Sequence, residues 1–200
     1  MMKDKSQQQN VSPDSVSSAP VQLPPVRLRA AIPSDDDFLL EVFASTRSDE
    51  LAEIADSARA QAFLRMQFTT QGRTYRAAYS SAENNIILLG EEPIGRMLVE
   101  KNGDKIALVD IAILPEHRNA GIGRALIQDL QREGHAAGKP VGLHVFKFSR
   151  AVGLYERLGF STIGSDSAYL EMVWLPDSKS MNSSETHPEN AGTRGLTVQP

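Results

Sequence analysis

The chain contains no cysteine. A disulfide framework, a cysteine nucleophile and a thiolate-ligated metal are therefore excluded. Long apolar runs are missing too. Nothing approaches the roughly 18 consecutive apolar residues of a membrane span, so no membrane partner is expected. Lys and Arg form no basic stripe, and the formal net charge is −4, which argues against a nucleic-acid partner. The four histidines, His117, His135, His144 and His187, lack H-E-x-x-H spacing, and no metal is expected. Met1-Met2-Lys3-Asp4-Lys5 leads into Ser and Gln without the apolar segment of a secretory signal. A cytoplasmic location is the expectation.

What is present suits one domain with tails. Hydrophobic residues make up 40% of 200 and charged ones 23%, enough for a buried core within the usual domain size. Residues 1–24 are rich in Ser, Gln and Pro, and residues 177–200 in Ser, Asn, Thr and Gly. Such compositions bury too little apolar surface to order themselves, so both ends are expected to be disordered. The working domain is residues 25–176.

Within it, Val26 to Arg29 alternates apolar and basic like a strand. Ser34 before Asp35, Asp36 and Asp37 reads as a capped helix start, with Phe38, Leu39, Val42 and Phe43 on its inner face. A second helix is predicted from Arg59 to Ala78, with Ala62, Phe63 and Met66 at core spacing. Three strands follow, Ile86 to Leu89, Ile94 to Glu100 and Lys105 to Ile113. Their turns hold Glu91-Glu92-Pro93 and the hairpin dipeptide Asn102-Gly103. A helix from Gly121 to Ala137 carries Ile122, Ala125, Leu126 and Leu130, and Gly138 and Pro140 end it. Next come a strand from Val141 to Phe146, a short helix that Ser149 can cap, and strands from Phe160 to Ile163 and Tyr169 to Trp174. Hairpin strands mixed with crossover helices imply a mixed sheet covered by helices, an α/β (α+β) fold.

The chemistry concentrates between Leu108 and Arg124. A buried-looking strand leads through Arg118-Asn119-Ala120-Gly121-Ile122-Gly123-Arg124 into a helix. The first N–H groups of a helix lack internal partners and the helix dipole favours an anion there. Gly121 and Gly123 let the backbone approach a phosphate oxygen, and Arg118 and Arg124 add positive charge. Glycine pairs before helices also serve simply to pack a turn. The third glycine of a dinucleotide fingerprint is absent, since Leu126 stands in its place, and no G-x-x-x-x-G-K-[ST] loop occurs.

Arg118-x-x-Gly121-x-Gly123 resembles the [QR]-x-x-G-x-[GA] pyrophosphate loop of the GNAT superfamily of acyl-CoA-dependent N-acyltransferases. Ala151-Val152-Gly153-Leu154-Tyr155-Glu156-Arg157-Leu158-Gly159-Phe160 is similar to its A-x-x-L-Y-x-x-x-G-F signature. The element order agrees as well, so the resemblance spans about residues 26 to 175. It implies a mostly antiparallel sheet of about seven strands flanked by four helices, with a splayed fourth strand. It implies acetyl-CoA as acyl donor, held by the backbone of Asn119, Ala120, Gly121, Ile122, Gly123 and Arg124. The backbone of Ile111 and Ile113 would pair with the pantetheine arm, and the N–H near Ile111 would polarise the thioester carbonyl. Tyr155 would be the general acid that protonates the departing thiolate; the alternative for Tyr155 is a core aromatic. Where the family often carries an asparagine, this chain has Phe148 and Ser149, and Ser149 is the remaining candidate for a pantetheine contact.

The same resemblance leaves the general base open. The position where a glutamate is best known falls on Ala107. Asp110, His144 and water are the candidates, Glu100 reading as a solvated strand end, and Asp110 and His144 each have a structural alternative. The acceptor implied is a small-molecule or peptide amine in a groove lined by Arg47, Asp49, Glu50, Glu53, Asp56, Tyr75, Tyr79 and Asp166. That charge run also reads as a solvated face. Oligomeric state stays open, a homodimer included. Two other readings keep the fold without the reaction: an acyl-CoA-binding regulatory module and an interaction domain.

Overall fold

In the computed structural model, the structure describes residues 24–47 and 57–176. Both tails, and Asp49, Glu50, Glu53 and Asp56 of the expected groove, lie outside them. The elements are β1 (Val26–Ala30), α1 (Asp36–Ser45), α2 (Ser57–Ala78), β2 (Glu83–Leu89), β3 (Glu92–Glu100), β4 (Ile106–Ile113), α3 (Ile122–Ala137), β5 (Val141–Phe146), α4 (Val152–Arg157), β6 (Ser161–Ser165) and β7 (Tyr169–Trp174). They form one sheet in the order β1-β2-β3-β4-β5-β7-β6. Every neighbouring pair is antiparallel except β4 with β5. Among the described residues, seven strands and four α-helices give the mixed sheet expected from the element order, and the mostly antiparallel pairing implied by the resemblance.

Strand alternation sorts the core onto two faces. On one, Ile87, Met97, Ile111, Leu143 and Met172 meet Ile122, Leu126, Ile127 and Leu130 of α3 and Tyr155 of α4. Fully burying an aliphatic side chain of this size contributes about 1.5–3 kcal/mol. On the other, Ile86 and Leu88 meet Leu39 of α1, while Leu98 and Val109 meet Tyr75 of α2. Among the described residues, that cover stops at β4. Farther along the same face, His144, Phe146, Tyr169, Glu171 and Val173 all keep contact with solvent.

Local expectations fail where polar groups carry the packing. Ser34 is exposed and makes no cap. Pro33–Asp35 form a 3-10 turn, and Asp35 does the holding. Its carboxylate takes both guanidinium NH groups of Arg29 at 2.7 Å and accepts the Ile32 N–H at 2.8 Å. These bonds hold its pKa down to about 2. In α2, Ala62 and Met66 face solvent and Phe63 is only half-buried. The inward stripe is instead Leu64, Gln67, Phe68, Gln71 and Tyr75. Two glutamines on that stripe hid its apolar period. Ala125 of α3 is likewise exposed, and Ile127 fills the core in its place.

Candidate active site

The site begins with a defect in pairing. β4 and β5 run parallel with Ile106, Ala107 and Leu108 opposite Val141, Gly142 and Leu143, and no farther. At that point β4 carries a bulge: Val99 pairs with Leu108 and Leu98 with Asp110, leaving Val109 as the extra residue. A bulge bends its own strand. Here it turns β4 away from β5, and the two strands open into a V with residues 109–113 on one arm and 144–146 on the other.

The β4 arm keeps part of its backbone free toward the opening. The Leu114 N–H donates to the Ile94 carbonyl on β3 at 2.9 Å. Alternation then directs the N–H groups of Ala112 and Asp110 to β3, and those of Ile111 and Ile113 into the V. Their side chains do something else: Ile111 is buried in the core and Ile113 packs against it.

Past the arm, the chain turns through Leu114 to Gly121 into α3. Asn119 (φ 63°) and Gly121 (φ 81°) are left-handed, flanking Ala120. Asn tolerates that conformation and Gly adopts it freely. The first intrahelical bond is Ala125 N–H to Gly121 carbonyl, 3.0 Å. The N–H groups of Ile122, Gly123 and Arg124 thus come before the helical ladder, at the positive end of its dipole. A Cβ on Gly121 would touch nothing within 4 Å, and one on Gly123 would meet only Ile113 Cδ1 at 3.7 Å. Internal packing does not demand Gly123; a ligand lying against the backbone would.

Arg118 acts differently from a bare phosphate cation. Its Nε donates to the Ile113 carbonyl at 2.8 Å, and its NH2 reaches Ser45 at the end of α1, at 3.2 Å from the carbonyl and 3.3 Å from the hydroxyl. It ties the loop to the end of the β4 arm. Arg124 is exposed beside the helix start.

On the other arm, the chain leaves β5 and enters α4. Ser149 accepts the Ala151 N–H at 3.1 Å, making a small turn ahead of the helix rather than capping it. Phe148 is 85% exposed. Tyr155 is buried in the core formed with α3, and its ring meets Phe160 edge-on at 5.7 Å. Burial first, and the Asp110 carboxylate second, raise its pKa above the ordinary phenol value, so it stays protonated at neutral pH.

Across the sheet, under α1 and α2, Asp110 and Arg96 form a buried ion pair, Oδ2 to NH1 3.4 Å. Asn84 accepts from Arg96 Nε at 2.9 Å, and the guanidinium lies 5.7 Å from the Tyr75 ring centroid. A small cavity beside the pair is lined by Val42, Phe43, Gln71, Arg96 and Asp110. Ala107 packs into the Tyr75 cluster, and Glu100 bonds the Ser81 hydroxyl at the surface. Arg96 and the two glutamines were not singled out from sequence. A charged residue inside the apolar run Ile94 to Val99 was the available signal for Arg96, parallel to that of Asp110.

Ile111 and Ile113 thus lie on β4 beyond its pairing with β5, residues 118–124 on the turn that follows β4, and Ser149 and Tyr155 on the segment that follows β5. Comparison with known proteins bears on the fold and on this stretch of chain. Residues 77–162 match a family model described as an acetyltransferase (GNAT) domain, a span holding both arms of the V, the loop and Tyr155. The fold resembles that of PaiA N-acetyltransferase from Thermoplasma acidophilum, solved in complex with coenzyme A: TM-score 0.58, 16% identity, 76% of this chain and 99% of that one. It also resembles the ribosomal-protein-S18-alanine N-acetyltransferase from Escherichia coli, with TM-score 0.55, 17% identity, and coverage of 80% and 99%. A third is the histone acetyltransferase HPA2 and related acetyltransferase from Corynebacterium glutamicum, with TM-score 0.56, 19% identity, and coverage of 78% and 99%. No curated protein sequence matches significantly. Residues 77–162 thus carry a likeness to a GNAT acetyltransferase domain, and the likeness to the solved N-acetyltransferases is one of fold.

Proposed function

We propose that the protein transfers an acetyl group from acetyl-CoA to a primary amine by direct attack, with Tyr155 as general acid. The carrying observation is the open V of β4 and β5, which leads into a glycine turn whose amides precede the α3 ladder. Backbone groups of Asn119 to Arg124 would hold the diphosphate, and the free N–H groups of Ile111 and Ile113 would pair with the pantetheine amides as an added strand. Ser149 is the candidate for a further pantetheine contact. The space above Gly123 fits a ligand against the backbone better than it fits packing.

Chemically, the Ile111 N–H is suited to the carbonyl oxygen as negative charge develops there. Tyr155, kept neutral by burial, can give its proton to the thiolate as the C–S bond breaks. With no cysteine in the chain, direct attack needs no acyl-cysteine intermediate. Coenzyme A at about 100 times its Kd should stabilise the fold by about 2.7 kcal/mol. The test is a thermal melt with and without coenzyme A, then thiol release from acetyl-CoA with an amine panel, for wild type and Tyr155→Phe. An unmoved melting temperature, or full turnover without the phenol, would end this reading.

A further inference from the structure

The acid proposed above lies on one face of the sheet, and a titratable group of the opposite character lies on the other. His144 is the first residue of β5 beyond its pairing with β4. Its neighbours Leu143 and Val145 belong to the core that contains Tyr155, so by strand alternation the imidazole belongs to the opposite face. That is the face that α1 and α2 leave open past β4. The two faces of the sheet therefore carry a phenol in the core and, beyond the β4–β5 pairing, an imidazole on the opposite side.

The neighbours of His144 suit an incoming amine. Glu171 is its cross-strand partner on β7, and two residues along β5 comes Phe146, opposite Tyr169. The Phe146 ring meets Tyr169 at 5.9 Å and Phe148 at 5.5 Å, and Phe146 and Phe148 are both exposed. This gives carboxylates (Glu171, with Lys105 Nζ 3.9 Å away, and Asp166 in the β6–β7 turn, whose Oδ1 accepts the Ala168 and Tyr169 N–H groups) beside an aromatic platform, suited to a cationic head on an apolar body. The candidate on the β4 arm, Asp110, is engaged by Arg96 beneath α1.

We propose that His144 is the general base, taking the ammonium proton of an amine whose apolar body lies along Phe146 and Tyr169. This rests on the acyl-transfer reading above. One ammonium proton passes to His144. The freed nitrogen pair forms the N–C bond while the C=O π pair moves onto oxygen. On collapse that pair returns, the C–S bond breaks, and Tyr155 protonates the sulfur. The second nitrogen proton goes to water, His144 releases its own to solvent, and Tyr155 is reprotonated from water, so one proton is released net. Attack and departure thus use opposite faces of the opening. Half-burial lowers the His144 pKa, the carboxylates of Glu171 and Asp166 oppose that shift, and Lys105 adds to it; the balance leaves the ring neutral and ready at pH 7.

The experiment compares wild type, His144→Gln and His144→Ala with acetyl-CoA from pH 5.5 to 9, using 2-phenylethylamine and putrescine as probes. Wild type should favour 2-phenylethylamine and lose kcat/KM as pH falls through the imidazole pKa. Both variants should keep the coenzyme A-dependent melting shift yet lose kcat/KM about hundredfold. They should also lose the acidic limb, and imidazole should restore part of the rate to His144→Ala. Variants with wild-type rate and profile would overturn the base assignment and leave the transferase reading intact. Putrescine preferred over 2-phenylethylamine would overturn the apolar acceptor class. A wild type inert toward every amine would bring down the parent reading and this one together.

Discussion

Asp110 on β4 and His144 on β5 each interrupt an apolar strand beside the same opening, and the fold treats them in opposite ways. Asp110 lies beneath α1 and α2, paired with Arg96 and 6% exposed. His144 sits on the stretch of sheet that no such layer covers among the described residues, half-buried with carboxylates nearby. A sealed charge must be compensated in place, which makes it structural. A group with one side in water can exchange protons and meet a substrate. What covers a polar strand residue, more than its type, decides its use.

Four outcomes test that contrast, the largest effect first. Asp110→Ala leaves the Arg96 guanidinium buried without its carboxylate and should cost about 3–5 kcal/mol of unfolding free energy in urea. A loss under about 1 kcal/mol would mean that water reaches the pair. Tyr155→Phe should lower kcat about hundredfold while leaving coenzyme A affinity nearly unchanged; steady-state kinetics with calorimetric binding separate the two. Gly123→Ala should weaken coenzyme A about tenfold and leave stability within about 0.5 kcal/mol, because the added Cβ meets only Ile113 at 3.7 Å. Equal losses in both would make the glycine a packing residue. Smallest is Asp35→Asn. The Asp35 pKa lies below its unfolded value, so its pairing stabilises above about pH 4 and fades as pH falls toward 2. The variant should melt about 2 °C lower at pH 7, with the gap closing near pH 2 by calorimetry.

Much of this was legible in the chain, for identifiable reasons. Apolar runs bounded by turn residues in β2 to β5 and the Gly138-Pro140 stop gave the elements, and the spaced signatures around Gly121 and Tyr155 gave the loop and the acid candidate. The errors cluster where polar side chains pack. Asp35 replaced Ser34 as the fixture before α1 because Arg29, six residues earlier, was in reach. Gln67 and Gln71 took inward places on α2, so its apparent apolar face, with Met66, was turned to water.

Sequence alone determined the order of strands and helices, the lack of any cysteine chemistry, and a glycine turn feeding a helix, because each depends on local periodicity and residue type. Only the tertiary structure decided that Val109 bulges and parts β4 from β5, that Arg118 ties the loop to Ile113 and Ser45, and that Arg96 claims Asp110. Those outcomes depend on which surfaces meet across the fold, and contacts between distant residues leave no period in the chain.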